Sequence, residues 1–242
     1  MENLLGEFIG TLVMIVFGDG VCATCGLKKS KGFGGGWISI VFGWGFAVMA
    51  GVYMAKALGA PQADLNPAIT IGKTLAGVYT WNQCFVTSLA EIAGGIAGGI
   101  VVWLAYLPHW KVTDDKETKL TIFCTAPAIR NYAANFLCEF IATFFLVLGL
   151  WAMFVEQNGP FNPGFAPYVV GIFIVALGLS LGGPTGYAMN PARDLGPRIA
   201  HQILPIAGKG TSDWAYAWVP VVAPICGSIA AYIVGHHLLA MF

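Results

Sequence analysis

Two Asn-Pro-Ala tripeptides, 124 residues apart, have the residue types and spacing that best indicate chemistry in this sequence. They are Asn66, Pro67 and Ala68 in the first copy and Asn190, Pro191 and Ala192 in the second. Asn is a preferred helix N-cap and Pro suits the first helical position, so each tripeptide predicts a helix start. Two opposed helix starts would repel cations through their dipoles, while the two side-chain amides keep NH2 donors for the oxygen of a passing water or hydroxylated solute. The motifs therefore predict the centre of a pore for neutral solutes.

The composition places these motifs in a membrane. Hydrophobic residues make up 57% of the 242 residues and charged residues only 10%, against roughly 25% charged in soluble domains. Twelve basic and twelve acidic residues cancel, which leaves no basic face for nucleic acid. The composition predicts an integral membrane protein that binds no nucleic acid.

Stretches without charge locate the membrane spans, because about 20 apolar residues cross a bilayer and a central charge is costly. They predict an all-α protein with six transmembrane helices, at about 3–22, 36–58, 82–107, 132–155, 166–184 and 214–239. Two apolar segments that contain the tripeptides, Leu65 to Leu75 and Met189 to Ile199, are long enough for only half a crossing. These two are predicted to be re-entrant half-helices.

The chain also repeats itself internally. The run Glu7 to Thr11 matches the run Glu139 to Thr143 at four of five positions, 132 residues later. Three full spans per repeat is an odd number, so the second copy must enter the membrane from the opposite face. We therefore predict one channel domain over 1–242, with repeat 1 at about 3–108, a linker at about 109–131 and an inverted repeat 2 at about 132–240.

With the paired tripeptides, the repeat and the six spans, the sequence resembles the aquaporin, or major intrinsic protein, family from about Leu5 to about Leu239. The run Ala188 to Asp194, followed by Gly196-Pro197, resembles the glycerol-facilitator (aquaglyceroporin) branch. The resemblance implies a multi-pass channel of the cell membrane for glycerol, related small neutral solutes and some water. It also implies a homotetramer in the lipid bilayer, with one pore in each subunit.

Arg193 is the strongest candidate for a selectivity filter. It lies three positions after Asn190, in a helix start that is already positive and inside a membrane segment, so packing alone does not account for it. The resemblance implies that Arg193 belongs to the outer filter together with Trp44, Gly178 and Tyr187. It also implies that Glu7 and Glu139 brace the re-entrant loops. Asp194 fits a supporting role, since a carboxylate in a first helical turn stabilises the helix.

Two carboxylates depart from the family pattern. Asp64 stands where many members carry His, which bears on the cytoplasmic vestibule, and Glu91 stands within the third span where Gln is common. We expect Glu91 to have a structural role. Loop charge also disagrees with the family's cytoplasmic termini, because ten of the twelve basic residues would then lie outside, the reverse of the usual bias. We base the expected orientation, with cytoplasmic termini, on the motifs and not on the loop charge.

Other kinds of function find no support in the residues. The six cysteines and four histidines show no metal-site spacing, and no catalytic or cofactor-binding motif is present, so we expect no metal, no cofactor and no enzyme activity. Two alternatives to a glycerol channel remain. One is a strict water channel, which the small Gly178 in place of a filter His disfavours; the other is a membrane-junction protein with a vestigial pore.

Overall fold

The computed structural model describes residues 3–162 and 164–238, and all regular structure in these residues is helical. Within these residues ten α-helices follow one another, with a short 3-10 turn at Glu156–Asn158 and a π-helical turn at Val234–Leu238. The helices are α1 Leu4–Gly26, α2 Gly36–Ala57, α3 Pro67–Leu75, α4 Trp81–Ala105, α5 Leu107–Val112, α6 Lys116–Phe123, α7 Tyr132–Phe154, α8 Ala166–Leu181, α9 Pro191–Ile203 and α10 Val219–Ile233.

The predicted set of six spans and two half-helices is confirmed. Helices α1, α2, α4, α7 and the stretch Val219–His237 are each long and apolar enough to cross a membrane. The remaining span, α8, has 16 residues, about 24 Å at 1.5 Å per residue. The half-helices α3 and α9 have 9 and 13 residues.

Several predicted helix ends need correction. The first helix continues four residues past the predicted end at 22, to Gly26. The fifth stops at Leu181 instead of 184, where Gly182, Gly183 and Pro184 interrupt it. The sixth begins at Val219 instead of 214, because 214–218 form turns. Its predicted end at 239, like the ends of the predicted repeat and domain at 240 and 242, lies outside the described residues.

The predicted linker is packed into the bundle. It contains α6 and most of α5, which begins at Leu107, and a polar connection predicts neither helix. Trp110 is buried and stacks on Phe123 with ring centroids 5.6 Å apart. The ammonium group of Lys119, also buried, donates to the carbonyl oxygen of Ala207 near the end of α9. The linker thereby fixes α6 beside α9, which carries the second tripeptide.

Glycines let the helices around the half-helices approach closely. On α4, Gly94 and Gly98 face α1, whereas Gly95 and Gly99 face α9. A Cβ on Gly94 would lie 2.3 Å from a carbonyl oxygen of α1, and one on Gly95 would lie 2.6 Å from a carbonyl oxygen at the start of α9. Both contacts exclude any side chain, so α4 holds α1 and α9 at backbone distance, as in other tightly packed membrane helices.

Two reciprocal contacts between α2 and α8 reflect the inverted repeat. A Cβ on Gly45 of α2 would lie 2.6 Å from the carbonyl oxygen of Gly171 in α8, and a Cβ on Gly171 would lie 2.6 Å from the carbonyl oxygen of Gly45. Helix α2 is the second span of the first half and α8 the second span of the other half. The two halves therefore meet at equivalent points, with the half-helices between them.

Candidate functional site

Each half-helix begins at the Asn of its tripeptide, as predicted. The side-chain oxygen of Asn66 accepts from the backbone N–H of Ala68 at 3.0 Å. That of Asn190 accepts from the backbone N–H groups of Ala192 at 2.9 Å and Arg193 at 3.2 Å. Each Asn has an extended backbone and is followed by Pro at the first helical position. Both helices thus present their positive ends to the middle of the bundle.

The capping amides also join the two halves of the protein. The Nδ2 of Asn66 donates to the carbonyl oxygen of Met189 at 2.9 Å, and the Nδ2 of Asn190 donates to that of Leu65 at 2.7 Å. The prediction that both NH2 groups remain free therefore needs correction. An amide NH2 has two donors, and each Asn uses one of them to bind the opposite loop. One N–H per amide is left for a solute.

The loops that precede the half-helices are held by Glu7 and Glu139. The Glu7 carboxylate accepts from the backbone N–H groups of Asp64 at 3.0 Å and Leu65 at 2.9 Å. Glu139 accepts two backbone N–H groups of the second loop, both at 2.9 Å. Leu65 and Met189 have left-handed backbones, with φ of 53° and 48°, which is strained for such side chains. The two carboxylates lie where they hold this strained geometry.

Glu91 and Asp64 add to the bracing of the first loop. Glu91 accepts from the backbone N–H of Asn66 at 2.9 Å and from the hydroxyl of Thr70 at 3.0 Å. Asp64 pairs with Lys73 and accepts from the hydroxyl of Tyr79 at 2.9 Å, and its carboxylate also lies 3.1 Å from the hydroxyl oxygen of Thr70. Asp64 and Glu91, the two residues that depart from the family pattern, thus belong to one polar cluster beside the first tripeptide.

Two cavities, one at each end of the bundle, both reach Arg193, which directly follows the second tripeptide. The terminal-side cavity, of about 380 Å³, is lined by Lys56 and Lys73 and by both capping Asn residues. The linker-side cavity, of about 460 Å³, is lined by residues of α6 and the adjoining loop. Only three described residues line both cavities, and they are Trp44, Tyr187 and Arg193. These three, which we call the filter, separate the two cavities.

The filter combines one charge with two aromatic rings. The guanidinium carbon of Arg193 lies 3.9 Å from the ring centroid of Trp44, a cation–π contact. The indole N–H of Trp44 donates to the sulfur of Cys22 at 3.4 Å, which fixes the ring. Tyr187 packs edge-on against Trp37, with centroids 5.7 Å apart. The filter is therefore apolar on its aromatic side and a hydrogen-bond donor at Arg193.

Gly178 lies behind the filter. Gly178 is not among the described residues that line the two cavities. A Cβ on Gly178 would lie 2.8 Å from Cζ of Tyr187 and 2.8 Å from Cγ1 of Val41. The sequence interpretation, in which Gly178 opens a gap directly, is thus modified. Gly178 provides the space that the Tyr187 ring occupies.

Asp194 lies in the first turn of α9 but does not line either cavity and is not part of the filter. Its carboxylate accepts from the backbone N–H and the hydroxyl of Thr125 at 2.8 and 2.6 Å, and from Nε of Arg198 at 2.8 Å. Arg198 in turn donates to the carbonyl oxygens of Thr125 and Ser212 at 3.0 and 2.8 Å. This network ties two loops to α9 behind Arg193.

Asp19 is the residue that sequence reasoning missed. It is buried in α1, and one carboxylate oxygen lies 3.7 Å from Nη1 of Arg193. Asp19 lies inside the first predicted span, at about 3–22, but no role was predicted for it. The signal that could have found it is an acidic residue in the middle of a longer apolar helix, since a buried carboxylate needs a partner.

Six spans, two half-helices that meet at their starts and two cavities separated by a filter define a membrane channel built from an inverted repeat. The major intrinsic protein family model matches residues 1–234. The chain belongs to this family, and it is therefore a channel protein and not an enzyme.

Similar proteins agree with this assignment. The chain is 56% identical to glycerol uptake facilitator protein 3 of Lactiplantibacillus plantarum, covering 93% of this chain and 92% of that protein. It is 53% identical to the glycerol uptake facilitator protein of Bacillus subtilis, covering 94% and 81%. The X-ray structure of the aquaglyceroporin from Plasmodium falciparum superposes with a TM-score of 0.85 at 29% identity, covering 98% of this chain and 96% of that one.

Proposed function

We propose that this protein is a passive channel for glycerol and other small uncharged solutes, with some water, and that it excludes ions and protons. The observation that carries the proposal is the filter, in which Trp44 and Tyr187 provide apolar surface and Arg193 provides donors at the one place that borders both cavities. The names of the similar proteins support the same solute.

A linear polyol fits this arrangement chemically. Its carbon edge can lie against the rings of Trp44 and Tyr187 while its hydroxyl oxygens accept from Arg193. Glycerol then exchanges hydration for apolar contact and hydrogen bonds at the same time. An ion recovers too little of its hydration free energy in such a site, and a cation also meets the charge of Arg193.

The tripeptide junction supports proton exclusion. Asn66 and Asn190 each have one N–H left after binding the opposite loop, and both belong to positive helix ends. A water at the junction accepts from these donors and so turns its own hydrogens away from the centre. This orientation interrupts a proton wire, and the helix dipoles repel hydronium.

Osmotic experiments on proteoliposomes test the proposed solute. Vesicles that contain the protein are shrunk in glycerol, and re-swelling is followed by light scattering beside protein-free vesicles. Re-swelling faster than in the protein-free vesicles supports the proposal. Water flow without glycerol entry supports the water-selective channel. The absence of both water flow and glycerol entry supports the junction protein. The solute series includes urea, dihydroxyacetone and undissociated lactic acid, because a 41% identical protein of L. plantarum is named D/L-lactic acid transporter.

We further propose a homotetramer in the cell membrane with one pore in each subunit. Each chain holds a complete filter, so every subunit can conduct alone. Large apolar side chains such as Trp81, Phe85 and Leu89 are exposed along α4, as expected for a surface covered by lipid or by other subunits. Native mass spectrometry should give four times the chain mass of 25.6 kDa, and a monomeric mass in mild detergent would contradict this assembly.

A further inference from the structure

Asp19 lies behind the filter and forms a buried pair of opposite charges with the filter residue Arg193. The side chain of Asp19 is fully buried and that of Arg193 is 8% exposed, and the closest oxygen and nitrogen lie 3.7 Å apart. Neither carboxylate oxygen of Asp19, nor Nη1 of Arg193, has a hydrogen-bond partner among the described residues. A buried charge needs compensation, and the ion pair is the compensation that both groups share.

The neighbouring acidic residue does not neutralise Arg193. Asp194 follows it directly in the chain, but its carboxylate is occupied by Arg198 and Thr125. The Asp194–Arg198 pair is neutral as a unit. Glu117 also lines the linker-side cavity, but it is exposed to solvent, which screens its charge. Asp19 is therefore the buried carboxylate left to balance Arg193.

We infer that Asp19 is a specificity-determining residue of this channel, which sets the electrostatic balance of the filter and excludes anions. The inference rests on the proposed pore function. Asp19 lines neither cavity, so it touches no solute. It acts through Arg193, by its field and by holding the guanidinium against Trp44 on the α1 side.

The sign of the effect follows from the charges around the pore. The starts of α3 and α9 are positive, and Arg193 adds a full positive charge in the first turn of α9. These groups repel cations, but alone they would stabilise an anion in the filter. The carboxylate of Asp19 opposes this attraction at close range in a poorly screened environment. A pore with both charges can reject ions of either sign while it still donates to neutral oxygens.

The test compares nitrate and glycerol permeability in proteoliposomes of Asp19→Asn. Nitrate entry is measured as swelling in potassium nitrate with valinomycin, which carries the compensating potassium. We expect nitrate permeability to rise about tenfold or more relative to glycerol permeability. Asp19→Glu keeps the charge and should retain anion exclusion. Asp114→Asn is the matched control, because it removes an exposed carboxylate (86% side-chain exposure) on the linker, away from the filter.

A second comparison covers the case in which Asp19→Asn does not assemble. Arg193→Gln leaves Asp19 unbalanced, whereas Asp19→Asn combined with Arg193→Gln removes both charges. We expect potassium permeability in Arg193→Gln to exceed that of the double variant about tenfold or more. Equal permeabilities would overturn the inference.

The outcomes separate this inference from the proposed function. A parent protein that does not pass glycerol contradicts the proposed function. A parent that passes glycerol, with an assembled Asp19→Asn variant that excludes nitrate as well as the parent, overturns the role of Asp19 and leaves the proposed function standing. Loss of glycerol flux with unchanged nitrate exclusion assigns Asp19 to scaffolding and also overturns the inference.

Discussion

Replacing Gly178 by Ala should narrow the filter from behind. The added Cβ would lie 2.8 Å from Cζ of Tyr187 and from Cγ1 of Val41, whereas ordinary contact begins near 3.4 Å. Val41 is fully buried in α2, but Tyr187 borders the cavities, so its ring should move by about 0.6 Å toward the filter. Overpacking of this kind costs about 1–3 kcal/mol.

If glycerol bears this cost while it occupies the filter, its flux should fall about tenfold, since about 1.4 kcal/mol corresponds to a factor of ten. Water is smaller, and its flux should fall less than about threefold by the same reasoning. Stopped-flow light scattering on one proteoliposome preparation measures both rates. Gly20→Ala is the matched control, because a Cβ there meets nothing within 4 Å. An equal loss of both fluxes in an assembled Gly178→Ala channel would refute the assignment of Gly178 as the support of Tyr187.

Three further changes test other parts of the protein. Asn190→Asp places an anion at the positive end of α9 and should let protons or sodium pass, which vesicle pH dyes and sodium flux measurements detect. A variant that conducts glycerol but still excludes protons and sodium would contradict this. Glu139→Gln weakens two charge-assisted hydrogen bonds to the second loop, and should lower the free energy of unfolding by about 1.5–3 kcal/mol, seen as a lower Tm. The pKa of Asp115 lies below its ordinary value, chiefly because the hydroxyl of Thr118 donates to it. The ionised Asp115 carboxylate caps the start of α6 and should therefore stabilise the fold at neutral pH. This stabilisation should be lost as the pH falls through the lowered pKa, and hydrogen exchange of α6 should show a pH effect that Asp115→Asn lacks.

The sequence predicted the order of the six spans and the two half-helices, because the membrane makes hydropathy and charge decisive. The starts of α3 and α9 were predicted within two residues, since Asn and Pro favour a helix start by local chemistry. Helix ends at turns were less predictable. The first residues of the sixth span, 214–218, are as apolar as a helix but form turns, which depend on tertiary contacts that hydropathy does not encode.

The details of the site depended on contacts between distant residues. Asp19 could not be assigned from its own neighbours in the chain, because its partner Arg193 comes 174 positions later. The resemblance placed Gly178 and Tyr187 together, but only the packing shows which of them borders the cavities. In the same way, the helix start predicted the capping role of Asn190, but not the donation of its amide to the opposite loop.

The carbonyl of Met189, which accepts from Asn66, has a consequence for how the chain is made. Met189 is synthesised 123 residues after Asn66, so at about 5–20 residues per second the first half-helix waits about 6–25 s for its partner. Both carboxylates that hold its strained loop in the folded protein are made well before Met189, because Glu7 belongs to the first span and Glu91 follows Asn66 by only 25 residues. The carboxylates that brace the first half-helix therefore come from the first half of the chain itself, which the ribosome completes before the second.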